Sequence, residues 1–136
     1  LFKVKEVLEG LAARLVAENG RKEDVETLKN SVDEMEEAIA KSDNKQYVEA
    51  NTTFHKAILD GADNSKLSFM LNLLLNQIPY NRYVYLTIED PKRLKKSLSE
   101  HKAILAAIEK GDQLLAEKKM REHVKLSGLQ LENKEI

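Results

Sequence analysis

Apolar side chains return every three or four residues in six successive stretches of this sequence. Short runs of glycine, asparagine, aspartate or proline separate the stretches. Residues recurring at that spacing share one face of an α-helix, and turn residues mark where such a face stops. No stretch alternates residue by residue as a half-buried strand does. The expected fold class is therefore all-α: a single antiparallel bundle of about six helices, with residues 1–136 forming one domain.

The first helix is expected over residues 1–18, with Leu1, Val4, Leu8, Leu11 and Leu15 facing inward and Asn19-Gly20 as a left-handed stop. The second, over 23–41, follows the acidic start Glu23-Asp24 and carries Val25, Leu28, Val32, Met35 and Ile39. Tyr47, Asn51, Phe54, His55 and Ile58 define a third helix that Gly61 ends. The fourth opens at Asp63 or Asn64, takes Leu67, Met70, Leu71, Leu74, Leu75 and Ile78, and runs on towards Tyr85 with a kink at Pro79. Its near-continuous apolarity predicts the central helix. Asp90-Pro91 caps the fifth, whose inner face reads Leu94, Leu98, His101, Leu105 and Ile108. Asp112 caps the sixth, with Leu115, Ala116, Met120, His123, Val124 and Leu126 inward and fraying expected after Gly128.

Charged residues make up 33% of the chain, yet 22 Lys and Arg nearly cancel 23 Asp and Glu, leaving a net charge of -1. A surface so balanced has no field to hold a polyanion, which disfavours nucleic-acid binding by this segment itself. Zero Cys excludes a disulfide frame, a thiolate zinc site and a cysteine nucleophile, and fits a cytoplasmic location. The longest uncharged stretch, Leu67 to Asn81, is 15 residues, short of the roughly 20 that a membrane helix requires, so no membrane partner is expected. The start at Leu1, without an initiator Met or a signal-like segment, suggests that something upstream has been removed.

All three histidines fall on inner stripes: His55 on the third helix, His101 on the fifth and His123 on the sixth. A single inward imidazole is most simply a packed ring bonded to backbone or carboxylate. Three in one core are harder to satisfy separately, and one divalent ion bound by all three satisfies them together. Asn51 stands four residues before His55 on the same face and is a fourth candidate ligand; the alternative for it is a solvated edge of the helix. Imidazole donors favour zinc or nickel, with manganese as a third candidate. Di-iron bundles use Glu-x-x-His pairs, but Thr52, Leu98 and Met120 stand three residues before the histidines. His-Glu-x-x-His, a glycine-rich phosphate loop and Gly-x-Ser-x-Gly are all absent, and no enzyme is expected.

Five pieces in order carry a further signal. They are Lys5-x-x-x-Glu9 with Ala12-Ala13-Arg14-Leu15; Asn51-Thr-Thr-Phe54-His55; Asn64; Arg93 with Ser97 leading into Glu100-His101-Lys-Ala-Ile-Leu-Ala-Ala-Ile108; and Gly111-Asp112 leading through Ala116 to Met120-Arg121-Glu122-His123. Together they resemble the ligand-binding C-terminal FCD domain of the FadR subfamily of GntR bacterial transcription regulators, over nearly the whole chain. The resemblance implies a metal site at Asn51, His55, His101 and His123, with Asn51 departing from the usual Asp. It also implies an effector cavity towards which Lys5, Arg82 and Arg93 point, where Lys5 replaces the family's Arg; the residues alone leave Lys5 open as a surface charge and Arg82 as an outward snorkelling side chain, and the stripe gives Leu94 the inner position beside Arg93. A carboxamide still coordinates a cation but brings no charge. Lysine keeps a charge but loses the planar fork that grips a carboxylate through two bonds.

The function implied is a metal-dependent sensor of a small carboxylate. It would act as a homodimer and control DNA binding by an upstream winged-helix domain absent from this chain. Two other readings use the same residues: a three-His ion that activates water in an enzyme, and a metal-free helical interaction module with histidines as core filler.

Overall fold

A computed structural model describes residues 2–76, 84 and 88–135, with side chains to residue 131. Its helices are α1 (Phe2–Asn19), α2 (Lys22–Ala40), α3 (Asn44–Ala62), α4 (Ser65–Leu75), α5 (Pro91–Glu109) and α6 (Gln113–Glu135). The fold is all-α, as the spacing predicts, and the described residues contain no strand. No helix among them is long and apolar enough to cross a membrane.

Most of the punctuation acts where the sequence places it, but Gly61 does not end α3, which runs on to Ala62 and stops at Asp63 in the left-handed conformation. Gly20 and Gly111 take φ values of 60° and 70°, the left-handed conformation that ends α1 and α5. Asn64 and Asp90 turn their side chains onto the backbone N–H of Leu67 and Lys92, capping α4 and α5. Asp112 does the same for Leu115 at the start of α6.

Helix α1 lies at the heart of the packing. It runs antiparallel to α6, with Phe2 beside Gly128, Glu6 bonded to Arg121 and Arg14 paired with Glu117, and it also touches α3, α4 and α5. Its buried face is Lys5, Glu9, Gly10, Ala12, Ala13, Val16 and Ala17. The expected leucine stripe is therefore displaced: Val4 and Leu11 are exposed, and Leu8 and Leu15 only flank the core. Small side chains permit the close approach of α6, since a Cβ on Gly10 would stand 2.5 Å from Arg121 Cγ. Gly128 is another such point, 3.1 Å from Phe2 Cγ by the same construction, and α6 continues through it to Glu135 instead of fraying.

Helix α4 corrects a second expectation. Only Leu67 and Leu71 are buried, while Phe69, Met70 and Leu73 are more than half exposed, so α4 is peripheral and not central. An apolar helix of 11 residues on the flank of α1 and α3 can cover one face only. The expected run to Tyr85, the kink at Pro79 and the inward Ile78 fall outside the described residues; Val84 and Ile88 beyond them are buried, four positions apart.

Replacing Asp90 by Ala removes the bond to the Lys92 N–H and should lower stability by about 1 kcal/mol. Urea unfolding followed by circular dichroism measures this, and an unchanged midpoint would show that the cap does not hold the start of α5.

Candidate functional site

The inner faces of α3, α5 and α6 bring His55, His101 and His123 together. Phe54, with no exposed surface, sets the floor: its ring stands edge-on to His55 and His101 at centroid distances of 5.6 and 4.8 Å. His123 stacks on His55 at 5.4 Å and meets His101 edge-on at 4.4 Å. One ring nitrogen from each histidine lies within 4.8 Å of the others. His101 Nε2 is 3.3 Å from His55 Nε2 and 3.0 Å from Asn51 Oδ1. The sequence reading's four candidate ligands thus meet at one place, and Asn51 is buried there, not on a solvated edge.

The other ring nitrogen of each histidine is engaged from outside. His55 Nδ1 donates to Glu9 Oε1 (2.9 Å), His101 Nδ1 to the Ser97 carbonyl (2.7 Å) and His123 Nδ1 to Glu100 Oε1 (2.6 Å). An imidazole that donates from Nδ1 carries its lone pair on Nε2. His55 and His101 therefore bring two lone pairs face to face beside the Asn51 oxygen. Such a meeting of acceptors is unfavourable unless a proton, a water or a cation stands among them. Burial first, and then the charge each neighbouring imidazole would carry, hold His101 and His123 well below the ordinary imidazole range, so both rings are neutral near pH 7. Neutral imidazoles with orienting partners on Nδ1 are the form in which histidine binds metal. The donor set fits a divalent ion.

A further layer backs the first. Lys5 donates to Glu9, and Arg93 forks onto both oxygens of Glu100 at 2.8 and 2.7 Å while also reaching Ser127 Oγ at 3.1 Å. Burial pushes the Glu9 carboxyl up, but Lys5 and His55 together outweigh it and leave the group ionised, well below the usual carboxylate range. Tyr47 donates to Ser97 Oγ at 2.7 Å, and its buried phenol is pushed well above the ordinary tyrosine range.

Of the residues implied for the effector, Lys5 lines a cavity that also touches Tyr47, Asn51, His55, His123 and Ser127. Arg93 is buried, where the stripe pattern gives the inner position to Leu94, and it stands behind Glu100, one layer further out. Arg82 lies outside the described residues. Sequence reasoning did not single out Glu9, Glu100, Ser97 or Tyr47 as site residues. The available signals were the i,i+4 spacing of Lys5 to Glu9 and of Ser97 to His101, which puts each pair on one helical face.

The family described as FCD domain matches residues 1–126. A "Probable D-xylose utilization operon transcriptional repressor" of Paenarthrobacter nicotinovorans is 30% identical over 121 residues, 89% of this chain and 52% of that protein. The chain thus spans about half the length of this relative. The solved structure of E. coli McbR/YncC is similar over 97% of this chain and 66% of that chain, with a TM-score of 0.84 at 23% identity, a likeness of fold.

Tyr47→Phe and Ser97→Ala each break the same buried hydrogen bond and should each lower stability by roughly 0.5–1.5 kcal/mol. The double variant should cost less than the sum of the two, because the bond can be lost only once. Additive losses in a double-mutant cycle would count against the pairing.

Proposed function

The chain belongs to the FCD domain family, and on that premise we propose that it is the effector-sensing domain of a GntR/FadR-type transcription regulator. In this reading it is metal-dependent, responds to a small carboxylate and works as a cytoplasmic homodimer, with DNA bound through an upstream winged-helix domain. The observation that carries the reading is the convergence of three Nδ1-anchored histidines with Asn51 on one point beside a cavity. The relative named as a repressor supports the regulatory part.

Asn51, His55, His101 and His123 would hold the ion, and zinc or nickel suits this donor set best, with manganese as a third candidate. When bound, the ion supplies positive charge and open coordination positions for the oxygens of an anionic ligand. The chain contributes only neutral donors. The two carboxylates behind them, Glu9 and Glu100, are paired with Lys5 and Arg93. The ion's charge therefore stays uncompensated by the protein, which favours a di- or tricarboxylate in a partly dehydrated cavity. Lys5, although paired with Glu9, lies on the cavity wall and would offer the anion a hydrogen-bond donor, and Arg82 is proposed to add positive charge. Binding shifts a regulator only through unequal affinity for its two arrangements, and ligands from three helices provide contacts that differ when those helices shift.

An enzymatic reading is less well supported. Glu9 and Glu100 each face an imidazole Nδ1 and an ammonium or guanidinium, so neither stands ready as a separate base for water.

Purified protein should carry roughly one first-row ion per chain by elemental analysis. Chelator should lower its melting temperature, since the ion stabilises only the folded state. His101→Ala should keep the helical spectrum, lose the ion and abolish the chelator effect. Helical protein without metal, indifferent to chelator, would leave the interaction module as the better reading.

Asn51→Asp should tighten zinc by about tenfold and weaken citrate by a similar factor, one added charge acting in opposite directions on the two. Calorimetry with zinc, citrate and D-xylose reads this, the sugar because of the relative's name. Equal citrate affinities for the two proteins, or a response to the neutral sugar alone, would overturn the charge argument.

A further inference from the structure

Two of the three histidines are backed by the same arrangement, built from different helices. In α1, Lys5 holds one oxygen of Glu9, whose other oxygen accepts from His55 on α3. In α5, Arg93 grips both oxygens of Glu100, and Oε1 also accepts from His123 on α6. Each is a chain of cation, carboxylate and imidazole, and all four charged side chains are at most 15% exposed. A buried ion pair is a poor means of stabilising a fold, because removing two charges from water offsets most of their attraction. What such a pair does provide is orientation. With every oxygen engaged, neither carboxylate can turn, and each presents a fixed acceptor to one Nδ1. The third histidine, His101, is instead oriented by the Ser97 backbone carbonyl, which no change of side chain removes.

We infer that Lys5 and Arg93 are positioning residues: through Glu9 and Glu100 they fix the tautomer and aim of His55 and His123, so that both rings turn Nε2 towards the shared centre. For Arg93 this is a role other than gripping an effector. The inference rests on the sensor reading for the purpose of that centre, but the tautomers themselves exist in metal-free protein. Glu100→Gln isolates the effect at constant shape, because a carboxamide offers one acceptor atom where Arg93 and His123 together use two.

The experiment is long-range proton–nitrogen correlation on the metal-free chain labelled with nitrogen-15 histidine, followed by zinc titration of each variant. In the unaltered chain all three rings should carry the proton on Nδ1. Glu100→Gln should shift only His123 towards the Nε2-protonated form, and Glu9→Gln only His55, with His101 constant in both. Each should lose zinc affinity by about 10–100-fold. Arg93→Gln should reproduce the His123 shift in part, and Arg93→Lys should reverse most of it by restoring the charge.

This crossed pattern is one that general loosening would not produce. Unchanged tautomers in the two Gln variants, or all three rings changing together in either, would overturn the inference. If Glu100→Gln fails to fold, Glu9→Gln and the Arg93 pair decide by the same criteria. If the unaltered chain binds no zinc, the sensor reading fails, while the tautomer pattern still decides the positioning role.

Discussion

The hydrogen bond from a histidine Nδ1 to an acceptor behind it is the interaction on which the centre of this bundle depends. An imidazole in a dry core must satisfy two nitrogens, and here the rear nitrogen always meets an oxygen: Glu9, Ser97 or Glu100. The front nitrogens are thereby left to face inward. From this follows the polar character of α1, which buries Lys5 and Glu9 among alanines, and the burial of Arg93 in α5, where Glu100 needs a counter-charge. The small residues of α1 matter for the same reason, since they let α3 and α6 come near enough for side chains on separate helices to meet.

Much of this was legible in the sequence. Three-and-four spacing gave the helices, and capping residues gave their limits, because both are local effects of backbone and side chain. The inward direction of His55, His101 and His123 followed from the same periodicity. What periodicity could not supply was the rotation of a helix whose buried face is made of alanine, glycine and charged residues. In α1 the larger Val4 and Leu11 drew the stripe towards themselves, although close approach to α6 favours the small side. In α4 a nearly uniform apolarity carried no direction at all, so Phe69, Met70 and Leu73 could not be told from core. The stripe gives the inner position to Leu94 and the resemblance turns Arg93 towards the effector cavity; neither signal names its partner Glu100, seven residues on.

Asn51 separates this centre from an acidic version of the same geometry. Its carboxamide has the shape of a carboxylate and sits where the His101 nitrogen meets it, yet contributes no charge. Among the described residues, the charged side chains behind the histidines are matched within their own helices, Lys5 to Glu9 and Arg93 to Glu100. Neither pair leaves a net charge beside the four donors, so an ion held there would bring its own charge uncancelled.

The sequence distances across the site are long. Glu9 and His55 are 46 residues apart, His55 and His101 another 46, and Glu100 and His123 23. Each helix can begin from contacts within itself, but the centre exists only once these loops have closed, and closure entropy must be met before the contacts formed there return any stability. No single helix and no adjacent pair contains the full donor set. The centre is therefore a high-contact-order element of the fold, and its departure from native geometry is coupled to opening of the tertiary structure more than to fraying at any one helix end.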